Sequence, residues 1–337
     1  MNNQTVGKRS FQLTNPPVIT HWASIAGKKE SEGPLYEYFD CTYRDSYFGQ
    51  KTWEQAEKQL QKLTLNKLCE KSGIPLQDLK LVISGDLLNQ CIGSSFTLRN
   101  TGISHIGLYG ACSTMAESLL VASMAVGGGF AQSAVAMTSS HFASSERQYR
   151  FPLGYGGQRT PTSQWTVTGC GAALVSSIGK GPKITGATIG VVTDLGIKDA
   201  NNMGAAMAPS TFETIQTHFE DFGRTADDYD LIITGDLGQL GKEALLTIAT
   251  RSGISLGGKI TDCGTLVFDC THQDVHSGGS GCGCSAVTIC GYFLDKLNAG
   301  KLKRILFCGT GALLSPTSTQ QGLPIPGICH AVVIEGC

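Results

Sequence analysis

The chain repeats itself. Gly110-Ala111-Cys112-Ser113 returns as Gly283-Cys284-Ser285, and each copy opens a long apolar run. The first run, Thr114 to Val126, ends in Gly127-Gly128-Gly129 and leads into the strand-like Ser133-Ala134-Val135-Ala136-Met137. The second, Ala286 to Leu297, ends in Asn298-Ala299-Gly300 and leads into Arg304-Ile305-Leu306-Phe307-Cys308. Upstream, Leu81-Val82-Ile83-Ser84-Gly85-Asp86-Leu87 is echoed by Leu231-Ile232-Ile233-Thr234-Gly235-Asp236-Leu237. Two echoes in the same order describe a duplicated unit, so the fold must consist of two similar halves. In each half a cysteine stands where a buried helix begins.

That position has chemical meaning. The first turn of a helix has unpaired amide hydrogens and a partial positive charge, which favour a thiolate or a bound anion. If the halves pack about a pseudo-twofold axis, both helix starts can face one cleft. Cys112 and Cys284 can equally be small buried hydrophobes, the commoner fate of a free cysteine.

Local signals supply the rest of the architecture. Thr52 with Gln55 forms a capping box, the helix body runs from Trp53 to Lys71, and Gly73 and Pro75 stop it. Leu79 to Ser84 is short and apolar enough for a buried parallel strand. In the second half, Ser210 with Glu213 caps a helix from Phe212 to Phe222, Asp230 to Thr234 is a strand, and Gln239 to Arg251 is a helix. Further strands are expected at Ala187–Val192 and Thr265–Phe268. The first forty residues, broken by Pro16-Pro17 and Gly33-Pro34, read as irregular. Strands alternating with helices indicate a layered α/β fold. The halves divide at Gly179-Lys180-Gly181-Pro182, giving units 1–180 and 181–337.

Composition excludes several functions. A net charge of −1 over 337 residues leaves no basic excess for nucleic acid or an anionic membrane. The 13 cysteines include no CxxC pair, so no zinc site is expected, and they fit reduced thiols; no residue is assigned as a metal ligand. The polar start Met1-Asn2-Asn3-Gln4 has no targeting pattern, and Leu119 to Met137 is too interrupted to span a bilayer. Any membrane association is therefore expected to run through a partner.

The segment His105-Ile106-Gly107-Leu108-Tyr109-Gly110-Ala111-Cys112-Ser113 resembles the cysteine elbow of the thiolase superfamily. Gly127-Gly128-Gly129, Thr168-Gly169-Cys170-Gly171-Ala172-Ala173 and Gly309-Thr310-Gly311-Ala312 continue the likeness, over roughly residues 50 to 337. A narrower resemblance covers essentially the whole chain. His21-Trp22-Ala23-Ser24, Pro161-Thr162-Ser163-Gln164-Trp165-Thr166-Val167-Thr168-Gly169 and Gly278-Gly279-Ser280-Gly281-Cys282-Gly283-Cys284-Ser285 are similar to the stage V sporulation protein AD family of endospore formers. The resemblance implies a dipicolinic-acid-binding component of the SpoVA apparatus. That apparatus moves dipicolinate, with calcium, into the developing spore and releases it on germination. The implied location is peripheral to the spore inner membrane, with other SpoVA subunits as partners. No cofactor is implied beyond calcium accompanying the ligand. Thiolase-type relatives are commonly dimers through an edge strand, so a homodimer is the default.

The resemblance also shows what is missing. A condensing enzyme pairs its cysteine with a histidine after the penultimate strand and a second histidine or asparagine before the last long helix. This chain has Gly235-Asp236 at the first place and glycine, serine and cysteine near Ser280 to Cys284 at the second. The expectation is a binding protein, not an enzyme, with a vestigial nucleophile at Cys112. The alternative is a ketoacyl-synthase-like acyltransferase using Cys112.

The candidate ligand set is Asp86, Cys112, Ser113, His276, Cys284 and Ser285. The helix starts would give amides and hydroxyls to the two carboxylates, and Asp86 would act through calcium, a proton or the cysteine elbow. Its alternative role is capping the turn that follows it. Arg147, Arg150 and Arg159 could pair carboxylates, and Tyr155 could stack on the ring. Asp86→Ala and Cys112→Ala are expected to weaken binding and leave the fold intact.

Overall fold

The computed structural model describes residues 4–149 and 158–337. Arg150 and Tyr155, two of the sequence candidates, lie outside the described residues.

The first half runs β1 (Val18–Ala26), α1 (Trp53–Ser72), β2 (Leu81–Gly85), α2 (Ile92–Leu98), β3 (Ser104–Gly107), α3 (Thr114–Gly127), β4 (Ser133–Ser140), α4 (Phe142–Tyr149) and β5 (Gly169–Ser176). The second runs β6 (Lys183–Thr188), α5 (Met203–Phe222), β7 (Leu231–Thr234), α6 (Gly238–Arg251), β8 (Ile260–Asp262), α7 (Cys263–Val267), α8 (Cys282–Thr288), α9 (Leu294–Asn298), β9 (Arg304–Ala312) and β10 (Gly327–Glu335). The principal strands lie in the order β8-β7-β9-β10-β6-β1-β5-β4-β2-β3. Each half therefore has one strand order, third-second-fourth-fifth-first. In each, the second strand pairs in parallel with the third and fourth, and the fifth pairs antiparallel with the fourth and first. The halves meet where Val18 pairs with Lys183, beside the Gly179–Pro182 turn.

Two helices fill the middle layer. α3 packs on β4 of its own half and on β9 and β10 of the other, while α8 packs on β4 and β5. α3 buries Met115, Ala116, Leu119, Leu120 and Val126, each fully buried leucine contributing about 2 kcal/mol. A single π turn, Ile289–Phe293, joins α8 to α9, so the second apolar run is one continuous helical rod.

Several local readings change. The segment read as irregular contains β1, a buried strand at the junction of the halves. α5 begins at Met203 under an Asn202 cap and continues through Pro209, so Ser210 lies inside the helix. The expected strand at Thr265–Phe268 is helix α7 with its C-cap, because the Asp262 carboxylate accepts the Thr265 amide at 3.1 Å and starts a turn. The strand expected at Ala187–Val192 is β6, displaced to Lys183–Thr188. The Thr52 cap and the Gly73 stop of α1 stand where they were read, with Gly73 left-handed at φ 67°.

Candidate functional site

The chain before α3 makes an elbow. Ala111 takes a left-handed φ of 53°, uncommon for a residue with a side chain. Gly110 lies so close to the Glu117 carboxylate that a Cβ would overlap it. A Cβ on Gly309 or Gly311 of β9 would likewise overlap Ala116 or the Gly110 carbonyl. Glycine at these places lets β9 press against the elbow, and the elbow turns Cys112 into a cavity.

That cavity has a volume of about 240 Å³. Leu87, Tyr109, Met203, Leu313 and Leu314 give its apolar walls, and Cys112, Glu146, Thr166, Ser280 and Ser315 give polar points. The short parallel pairing of Trp165–Thr166 with Gly279–Ser280 brings Thr166 and Ser280 into the wall. Tyr109 and Tyr149 bond hydroxyl to hydroxyl, and Tyr149 also donates to the Leu87 carbonyl. Burial pushes the Tyr149 hydroxyl well above the usual tyrosine range, so it stays a donor. The Thr166 hydroxyl donates to Glu146 at 3.0 Å.

Asp236 lies directly behind Cys112. It is fully buried and accepts from the Gly281 amide at 2.7 Å, from the Thr310 hydroxyl at 2.8 Å and from the Cys112 thiol. Its own amide donates back to Thr310 at 2.9 Å. Burial, partly offset by these donors, pushes its carboxyl up to about 7. Sequence reasoning noticed Asp236 only as the place where a histidine is absent. The echo of Ser84-Gly85-Asp86-Leu87 by Thr234-Gly235-Asp236-Leu237 was the signal that could have found it.

Of the sequence candidates, Cys112 lines the cavity, 6% exposed. Asp86, Ser113, His276, Cys284 and Ser285 do not line it. Asp86 is fully buried and accepts from the Leu88 amide at 3.0 Å and from the Ser94 amide and hydroxyl at 2.8 and 2.7 Å, fastening the start of α2. Ser113 turns inward, donating to the Gly110 carbonyl at 2.7 Å and to Glu117 at 3.0 Å. Cys284 is fully buried against the Gly235 carbonyl, and Ser285 bonds back to the Cys282 carbonyl. His276 sits on a separate loop, its Nε2 3.3 Å from Asp274. In the second half it is Cys282, not Cys284, that packs with Cys112 and Leu87. A two-residue offset at the start of α8 makes this difference.

The arginines are also placed elsewhere. Arg147 pairs with Glu54 and lies over Trp53, and Arg159 bonds the Gln164 carbonyl and lies over Trp165. His141 is buried and bonded to the Ser46 carbonyl at 2.7 Å. Among the described residues no cationic side chain lines the cavity, and no group of three acids, cysteines or histidines could hold a metal ion. Among the same residues no helix is long and apolar enough to cross a membrane.

A second buried polar cluster stands behind the first-half sheet. Glu57 of α1 accepts from Ser139 at 2.9 Å and from Ser144 of α4 at 2.8 Å. Gln61 donates to Ser139 at 2.8 Å and to Ser94 at 3.3 Å, linking Glu57 to Asp86. Burial first, and the neighbouring Asp86 second, push Glu57 up to about 8. Through Ser144 this cluster anchors α4, which carries Glu146 and Tyr149 into the cavity wall.

Comparison with known proteins agrees with this architecture. Solved structures of similar shape include 3-oxoacyl-[acyl-carrier-protein] synthase III from Aquifex aeolicus, with a TM-score of 0.57 at 12% identity, covering 95% of this chain and 99% of that one. Human mitochondrial 3-ketoacyl-CoA thiolase has a TM-score of 0.58 at 10% identity, with 97% and 99% covered. At these identities the likeness shows the thiolase-like fold alone. Stage V sporulation protein AD of Bacillus subtilis (strain 168) is 45% identical over 329 residues, which is 98% of this chain and 97% of that protein. The family model described as Stage V sporulation protein AD (SpoVAD) matches residues 7–335, and the chain belongs to that sporulation family.

Proposed function

We propose that the protein binds dipicolinate in the Cys112 cavity and serves the SpoVA apparatus as a binding component, without catalysing a reaction. The observation that carries this reading is Asp236. Where a condensing enzyme needs an imidazole, this site has a carboxyl enclosed by Gly281, Thr310 and Cys112. A carboxylate cannot replace an imidazolium in stabilising a thiolate or a thioester oxyanion. The acyltransferase reading is therefore the weaker one.

The cavity suits a small aromatic ligand. An apolar cavity of about 150 Å³ holds a benzene ring, so about 240 Å³ leaves room for a ring with two carboxylates. Tyr109, Leu87 and Met203 would contact the ring, and the hydroxyls of Ser280 and Ser315 would donate to carboxylates. Glu146 in the wall and Asp236 behind it oppose a bare dianion. The ligand's charge is compensated by calcium that travels with it, as cargo and not as a resident metal.

The protein acts in the developing spore, peripheral to the inner membrane beside the membrane subunits of the apparatus, and again on germination. Its homodimer forms through β3, the first-half edge strand, where Ile106 is exposed. The test is a calorimetric titration with dipicolinate, with and without calcium, against an isomeric pyridine dicarboxylate. One saturable site selective for dipicolinate supports the reading. Absence of binding together with acylation of Cys112 by an acyl-CoA replaces it with the enzyme.

A further inference from the structure

The two most exposed large apolar side chains in the described chain are neighbours. Phe130 is 90% exposed and Ile178 is 79% exposed. Phe130 stands on the turn after α3, where Gly129 at φ 79° swings the chain outward. Ile178 stands on the turn from β5 to β6. Ser133 of β4 pairs with Ser176 of β5, and just beyond them the Ser177 amide donates to the Gln132 carbonyl at 2.9 Å. The two turns therefore leave the sheet side by side. Cys112 is at the other end of α3, so about 20 Å of helix separates this pole from the cavity.

The surroundings of the two tips are polar and locally basic. Gln132, Ser177, Thr14 and Asn15 are exposed around them. Lys180 and Lys183, both exposed, follow Ile178 on the same turn and strand start. Lys183 lies across the strand register from Glu335, which in turn faces Arg304, and the Asp230 carboxylate accepts the Lys303 and Arg304 amides, so the basic row is Lys180 and Lys183. Glu335 is itself held by Arg304 at 2.7 Å.

Two separate prongs in a polar ring do not make a protein interface, which needs a contiguous, well-packed core within about 800 Å² per partner. A bilayer surface makes no such demand. It accepts single apolar side chains at the headgroup boundary and attracts lysines lying within a Debye length of anionic lipid. We propose that this pole is a membrane-docking surface, with Phe130 and Ile178 entering an anionic bilayer and Lys180 and Lys183 lying against lipid phosphates. The chain's near-zero net charge is no obstacle, because the basic row is local. Membrane contact then does not depend on a partner alone, and the proposal is independent of the ligand in the cavity.

The test is sedimentation of the full chain with vesicles of phosphatidylcholine alone and of phosphatidylcholine mixed with phosphatidylglycerol. Binding is expected to the anionic vesicles and to weaken with added salt. Phe130→Ser with Ile178→Ser should lower it at least about tenfold, and Lys180→Glu with Lys183→Glu should abolish the preference for anionic lipid. All four side chains are exposed, so unchanged thermal melting is expected and checks the fold. Failure of the natural protein to sediment with anionic vesicles, or equal binding by the Phe130/Ile178 variant, overturns the proposal and leaves the pole to a protein partner.

Discussion

The two copies of the repeat have the same strand order but opposite uses. In the first copy the helix start presents Cys112 to a cavity, while its aspartate, Asp86, is sealed behind the sheet fastening α2. In the second copy the cysteine, Cys284, is sealed, and the aspartate, Asp236, crosses the pseudo-twofold interface to reach Cys112. One site is thus built from the cysteine of one half and the aspartate of the other. The difference teaches that duplication supplies two equivalent positions and that packing between the halves decides which of them reaches the Cys112 site.

The comparison can be broken by substitution. Asp86→Ala leaves two buried amides and the Ser94 hydroxyl without their acceptor, so it should lower stability by about 3 kcal/mol in urea unfolding. Ligand affinity per folded molecule should not change. This reverses the expectation from sequence that the variant would spare the fold and weaken binding. Asp236→Ala strips partners from Gly281, Thr310 and Cys112, and should cost about 2 kcal/mol while strengthening binding of calcium-free dipicolinate, because the carboxyl that opposes the dianion is gone. Equal effects on affinity from both aspartates would refute the division of roles.

Glu57 sharpens the contrast through pH. An acid whose folded pKa is raised holds its proton more tightly when folded, so its stability contribution is most favourable below the unfolded value. With the ordinary value at 4.5 and the folded one at about 8, stability should decline as pH rises between them. Glu30 and Asp236, both raised to about 7, add to the decline. Glu57→Gln should flatten this dependence, read from melting temperatures between pH 5 and 8. An unchanged slope would show that Glu57 is ionised in the folded protein.

The smallest effect concerns the cysteines. Cys284→Ala leaves a cavity in a closed core and should cost about 1 kcal/mol. Cys112→Ala, at the wall of an existing cavity, should cost less. Alkylation of the native protein followed by mass mapping should mark Cys112 well before Cys284. The reverse order would mean that the second helix start, not the first, is open.

Much of the fold was legible because it rests on local rules. The echoes disclosed two halves, and Thr52 and Gly73 marked the ends of α1. What escaped were elements decided by tertiary contact. β1 follows a Pro-Pro pair that reads as loop, α5 passes through Pro209, and α7 looks like a strand until Asp262 is seen capping it. The site divides the same way. The Cys112 elbow is a contiguous motif and could be read. The wall joins Leu87, Glu146, Thr166, Met203, Ser280 and Leu313 from distant segments with no shared spacing, and sequence alone cannot say which aspartate of a repeat faces inward.

The central claim is that the ligand binds where the halves join at Cys112. It is tested most directly by calorimetric titration of dipicolinate into the natural protein, Leu313→Trp, which fills the cavity from its rim, and Cys284→Ala. The account predicts one saturable site that is lost in Leu313→Trp and retained in Cys284→Ala. Undiminished binding by a folded Leu313→Trp variant would contradict it.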